Sequence, residues 1–137
     1  MIRPATLADI PMIMELGRRF ADEAGVTEQV GWEDESVSAL LEAMVANHIL
    51  LVGDRAIFGA LVFGHPFSGR LIFQELFWRN EGPATQGVRL LDMAERIARE
   101  RGCERALMLA VATMPGAERI YERRGYRPAE RTFIKDL

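Results

Sequence analysis

The sequence predicts one α/β domain, of the mixed α+β kind, built around a twisted mixed sheet and spanning residues 1–137. Three observations predict it. Residues 88–101 repeat Leu91, Ala94, Ile97 and Ala98 at helical spacing, with arginines and glutamate on the other face, and Gly102 closes the helix. Apolar runs of strand length at Ile49–Gly53, 57–64 and 71–78 are separated only by short breaks, the pattern of an antiparallel meander. Finally, 137 residues with no linker, repeat or low-complexity tract suffice for one hydrophobic core.

The elements follow in order. Residues 2–4 read as a short strand. Thr6 then caps a helix over residues 7–24, with Asp9 completing a capping-box-like pair and Ile10, Ile13, Met14, Leu16 and Phe20 approximating its apolar stripe. Gly25 ends that helix. Residues 26–35 are acidic and read as irregular, with Trp32 inside them. Residues 36–46 read as a helix with Val37, Leu40, Leu41, Met44 and Val45 on one face. Asp54-Arg55 breaks the first two meander strands, and His65 to Arg70, with Pro66, Ser68 and Gly69, forms the next turn. After the long helix, residues 105–112 form a nearly continuous apolar strand, as expected where both faces are covered. Pro115 sits in the first turn of a short helix reaching Arg124, with Gly125 as its cap, and residues 126–128 and 132–136 suggest a closing strand pair.

Composition excludes more than it assigns. Hydrophobic residues at 49% and charged residues at 27% are ordinary for a globular protein. A net charge of -3 speaks against a nucleic acid or an anionic membrane as partner and is compatible with a cationic acceptor. One cysteine, Cys103, precludes an internal disulfide and fits a reducing compartment. Cys103 with the distant His48 and His65 gives no zinc-ligand spacing. No signal-peptide run opens the chain and no apolar stretch approaches the roughly 20 residues a membrane span needs. A cytoplasmic protein is expected.

Several strings carry a family resemblance. IRPATLADIPMIMEL, then GALVFG with a turn and LIFQELFW, then RLLDMAERIARERGC, and finally ERIYERRGYRPAE with Ala117, Tyr121 and Gly125-Tyr126, follow one another in order. That order resembles the GCN5-related N-acetyltransferase (GNAT) family across essentially the whole chain, and is especially similar to small phage and prophage GNAT-like proteins. The resemblance implies the GNAT acyl-CoA N-acyltransferase fold, acetyl-CoA as acyl donor, and transfer of an acetyl group to a primary amine of a small molecule or protein by direct attack. Homodimerisation is left open.

The same resemblance assigns site residues. Glu75, the one carboxylate in the run 71–78, would accept the amine proton or orient a water that does. Strict alternation puts it on the face of Phe73 and Phe77, opposite Gln74, Leu76 and Trp78. Tyr121 would protonate the departing thiolate. Backbone amides at Leu76, Phe77 and Trp78 would hold the acetyl carbonyl and pantetheine. The family's pyrophosphate loop, a helix N-terminus with free N–H donors, maps onto Thr85, Gln86, Gly87 and Val88, with Arg89 alongside. Here the sequence departs from the family pattern. Gly82 stands at its first position and Thr85 at its first glycine, so only Gly87 matches, and Met114 replaces the expected asparagine. Those departures support a second reading, a catalytically silent GNAT-fold protein, phage-derived and acting as a binding or assembly module.

Other residues read as structural. Cys103 is expected in the core, His65 in a surface turn, and the acidic stretch Glu28, Glu33, Asp34 and Glu35 as a solvated loop rather than a wall of an amine site with Trp32.

Overall fold

The computed structural model of the chain describes residues 1–110 and 116–137. A five-stranded sheet runs in chain order: β1 (Arg3–Pro4), β2 (Ile49–Gly53), β3 (Ala56–Gly64), β4 (Leu71–Asn80) and β5 (Arg105–Leu107). The first four strands are antiparallel neighbours, and β5 joins β4 in parallel. The helices are α1 (Ile10–Glu23), α2 (Val26–Val30), α3 (Asp34–Asn47), α4 (Gln86–Glu100) and α5 (Gly116–Arg123). One mixed-sheet domain with helices is what the sequence predicts.

Alternation in β2 builds two cores. Leu50 and Val52, with Ile57 of β3, face α1 and α3 through Ile13, Leu16, Leu41 and Met44. Ile49 and Leu51, with Phe58, Ala60 and Phe73, face α4 through Leu90, Leu91, Ala94 and Ala98. Both faces of the sheet are therefore covered, which is why these strands read as continuous apolar runs.

The chain before α1 opens as expected. A single 3-10 turn at Leu7–Asp9 precedes α1, and the Thr6 N–H donates to Asp9 Oδ2 at 2.8 Å. Arg3 also holds Asp9, pushing its carboxyl well below the usual range. Gly25 lies at φ 81° after α1, a conformation glycine adopts freely.

Four expectations are corrected. The stretch after Gly25 is not irregular: α2 forms there, and α3 starts at Asp34 rather than two residues later. Leu40 is exposed, so the α3 stripe is narrower than five residues. Strand β5 spans only Arg105–Leu107, with Leu109 exposed; among the described residues no strand pairs with its outer edge, so its apolar run is not covered on all sides. Residues 126–128 and 132–136 form no strands, and Phe133 and Ile134 are exposed. Strand propensity without a partner ladder does not make a strand. Pro115 and the far end of the predicted strand 105–112 lie outside the described residues.

Glu81, just past β4, fastens β4, the β2–β3 turn and α1 to one another. Arg79 Nε, Arg55 Nη2 and Arg19 Nη1 donate to its carboxylate at 2.7, 3.0 and 2.6 Å. Arg79, chiefly, and Arg55 pull its pKa down to about 2. Arg79 also forks onto Glu23 at the end of α1, so the network ties α1 to the strand that carries the site.

Among the described residues the sheet has one irregularity, and it sits beside the site. Ala60 pairs with Glu75 but Gly59 pairs with Phe77, so Leu76 is an extra residue in β4. Leu76 and Phe77 both pack on the α1/α3 core, while Trp78 packs on the α4 core. The Phe77 ring lies over Gly59, where any Cβ would fall well inside contact distance of the ring. Gly59→Ala is expected to cost about 1–3 kcal/mol through overpacking, read as a lower urea midpoint at unchanged m-value. An unchanged midpoint would remove the bulge's need for glycine.

Candidate functional site

The bulge decides which side chains share the site. With Leu76 inserted, Glu75 and Trp78 point to the same α4-side face as Phe73, and Phe77 points to the other. The expected placement of Glu75 with Phe77 and opposite Trp78 is thus corrected, because one extra residue shifts the alternation. The pairing of β4 with β5 stops at Gln74–Leu107, one residue before Glu75. From Glu75 onward the β5-side edge of β4 has no strand partner among the described residues, and the bulge lies on that stretch.

Glu75 is 3% exposed, an unusual position for a carboxylate. Tyr121 of α5 donates its hydroxyl to Glu75 Oε1 at 2.8 Å, and the Leu109 N–H donates to the same oxygen at 3.1 Å. The Tyr121 hydroxyl also lies 3.1 Å from the Leu109 carbonyl, so one proton faces two acceptors. Among the described residues Oε2 of Glu75 accepts no hydrogen bond. Burial pushes the Glu75 pKa up to about 7, and the bonds from Tyr121 and Leu109 only partly oppose that. Tyr121 is raised from its ordinary value, first by burial and then by the Glu75 charge. A carboxyl that exchanges its proton near neutrality, bonded to a phenol, is an acid–base pair.

Aromatic side chains hold that pair in place. The Trp78 ring stacks on Tyr121, centroids 6.0 Å apart and planes 30° apart, and meets Phe58 edge-on at 6.4 Å. Tyr126, after the turn at Gly125, packs tilted against Tyr121 at 5.7 Å. Arg124 pairs with Asp92 and Glu95, fixing α5 to α4. Trp78 Nε1 donates to the Gly87 carbonyl at 3.1 Å, which links the acid–base pair to the start of α4.

The start of α4 offers backbone donors. Gln86 N donates to the Pro83 carbonyl and Arg89 N to the Thr85 carbonyl, whereas the N–H groups of Gly87 and Val88 find no acceptor among the described residues. They lie at the positive end of a 15-residue helix. A Cβ on Gly87 would meet nothing closer than 3.7 Å, so the fold itself does not require glycine there. Free amides, the helix dipole and unclaimed space beside Gly87 fit a phosphate group.

The predicted site residues divide accordingly. Glu75, Tyr121 and Trp78 come together, and Gly87 joins them through Trp78. The side chains of Leu76 and Phe77 point away, leaving only their backbone toward the site face. Thr85 and Arg89 are exposed and line a cleft of about 660 Å³ with Met1, Ile2 and Arg96. The Gln86 side chain is buried, with both its polar atoms bound inside the protein. Met114 lies outside the described residues. The acidic stretch borders a separate open cleft of about 550 Å³ lined by Glu15, Arg18, Trp32, Asp34 and Glu35. Arg18 covers the Trp32 ring there at 5.5 Å. Cys103 is half-buried against the α4 core, and His65 accepts from Phe67 N in its turn. No described helix is long and apolar enough to cross a membrane.

Sequence reasoning missed the side chain of Trp78, the backbone of Leu109 and the side chain of Asn80. Gly59 was the available signal, since a glycine within a strand marks a bulge or a close approach.

Solved structures share this architecture over the full chain. A transcriptional regulator from Bacillus halodurans superposes with a TM-score of 0.75 at 16% identity, covering 100% of this chain and 99% of its own. A ribosomal-protein-alanine N-acetyltransferase from Brucella melitensis gives 0.73 at 14% identity, with 100% and 99% covered. An aminoglycoside acetyltransferase from an uncultured soil metagenomic sample gives 0.73 at 10% identity, with 100% and 97% covered. No protein-family model matches the sequence, and no curated protein matches it.

Proposed function

The chain has the GNAT fold, and from that premise we propose that it is an N-acetyltransferase that takes its acetyl group from acetyl-CoA and delivers it to a primary amine. The observation that carries this reading is the Glu75–Tyr121 hydrogen bond, set where β4 and β5 part and linked through Trp78 to the free amides of α4. Each chemical requirement of acetyl transfer then has a residue. The Gly87 and Val88 amides hold the pyrophosphate. The backbone of Leu76, Phe77 and Trp78 along the open edge of β4 supplies donors for the carbonyl oxygen as it gains charge. Glu75 takes the amine proton on Oε2.

Direct attack of the amine nitrogen forms the new C–N bond as the C–S bond breaks. Tyr121 gives its proton to the departing sulfur, and the Glu75 carboxyl, once it has turned so that the oxygen carrying the proton faces the phenolate across the 2.8 Å contact, returns it. Protons balance, with no side chain left in an altered state. The acceptor is a small molecule or a protein amine.

Calorimetry with acetyl-CoA, followed by thiol release over a panel of primary amines, tests the proposal. Saturable binding and amine-dependent release are expected. Tyr121→Phe should retain binding while lowering kcat by roughly 100-fold or more, the usual worth of a positioned acid. Absence of saturable acetyl-CoA binding to the wild-type protein would overturn it.

A further inference from the structure

The stretch from the end of β4 to the start of α4, residues 80–87, reads NEGPATQG and lacks the run of glycines that brings a backbone close to a phosphate. It is held instead by two amide side chains. Asn80 Nδ2 donates to the Pro83 carbonyl at 2.8 Å, and Asn80 Oδ1 accepts from Gly82 N at 3.0 Å. Gln86 Nε2 donates to Asn80 Oδ1 at 3.1 Å and to the Asp54 carbonyl at 2.8 Å, and Gln86 Oε1 accepts from Asp54 N at 2.6 Å. Gln86 is 7% exposed. The two amides thus pin both ends of the loop to each other and to the β2–β3 turn.

The surrounding backbone is built around this brace. A Cβ on Gly53 would overlap the Gln86 carboxamide, and a Cβ on Gly82 would overlap the Asp54 carbonyl. Two glycines are spent on packing the brace, and neither lies at the helix start where a ligand would approach. Gln86 is the first residue of α4, so its fixed side chain sets the direction in which the next two amides point.

We infer that Asn80 and Gln86 are positioning residues for anion binding, aiming the Gly87 and Val88 N–H groups at the pyrophosphate in place of a glycine-rich loop. This rests on the proposed use of acetyl-CoA. A braced loop carries its ordering cost in the fold rather than at binding, so removing the brace should weaken binding of the phosphate-bearing part of the ligand alone.

The test compares acetyl-CoA with S-acetylpantetheine, which has the same thioester and arm but no phosphate. Asn80→Ala and Gln86→Leu are each titrated with both, and folding is checked by thermal unfolding. The expected result is at least a tenfold loss of acetyl-CoA affinity with S-acetylpantetheine affinity within twofold of wild type. Asn80→Ala lies on the more open side of the brace and keeps the test decisive if Gln86→Leu fails to fold. Equal weakening toward both ligands, or no weakening toward acetyl-CoA, would overturn the inference while leaving the transferase reading intact. Failure of the wild-type protein to bind acetyl-CoA would remove the proposed function itself.

Discussion

Glu75→Gln should lower kcat by about two to three orders of magnitude and erase a pH step near 7, because it removes the general base and keeps the hydrogen bonds. The glutamine carbonyl can still accept from Tyr121 and Leu109 N, so geometry survives and basicity does not. The wild-type rate should rise with pH through about 7 as the buried carboxyl ionises. Stability runs the other way. Burial raises the folded pKa from 4.5 to about 7, so the contribution of Glu75 is complete below 4.5 and is lost as pH rises through about 7. That window is worth about 3 kcal/mol, since each pKa unit corresponds to about 1.4 kcal/mol. Urea unfolding between pH 5 and 8 should therefore show Glu75→Gln gaining on the wild type as pH rises. A flat difference, or a variant with wild-type kcat and pH profile, would sink both the assignment and its cause.

Trp78→Ala is expected to be the most damaging single change near the site. The indole touches Phe58, stacks on Tyr121 and donates to the Gly87 carbonyl. Large-to-alanine changes at aromatic core positions cost about 3–5 kcal/mol, and partial exposure of Trp78 places it at the lower end. The functional cost should exceed what instability explains, because the change frees Tyr121 and the start of α4 together. Trp78→Phe keeps an aromatic ring at the stack and loses the Nε1 donor, about 1 kcal/mol, together with the packing of the second indole ring. Urea midpoints of the two variants, read with acetyl-CoA affinity and kcat at a temperature where both are folded, separate packing from positioning. An alanine variant within about 0.5 kcal/mol of wild type, the range of an ordinary surface change, would show the aromatic stack to be incidental.

The helices and strands were legible because their residues obey one period each. Leu90, Leu91, Ala94 and Ala98 mark the inner stripe of α4, and the β2 run is apolar throughout because both its faces are buried. What broke the reading was a change of period within one element. Leu76 and Phe77 are both apolar, so nothing in the string LFW signals that two residues occupy one rung. The five-residue α2 was hidden by its shortness within an acidic stretch, although Gly25 and Gly31, both at positive φ, bracket it. The closing strands failed for the opposite reason: their composition fits a sheet, but no ladder receives them.

The site was legible in its acid–base pair and much less so in its loop. Glu75 stood out as a lone carboxylate in an apolar run, and Tyr121 by its place in a short helix. Gln86 looked like a polar group free to meet a ligand, but its capacity is taken by Asp54, which lies 32 residues away. Long-range partners of that kind leave no local pattern to read.

The extra residue at Leu76 has an evolutionary consequence. Because Leu76 and Phe77 share one rung and one face, a chain one residue shorter there would keep Glu75, Phe77 and Trp78 on their present sides of the sheet. Both cores would be retained and the ladder would become even. The single surplus residue could therefore be gained or lost by one codon without rebuilding either face of the sheet.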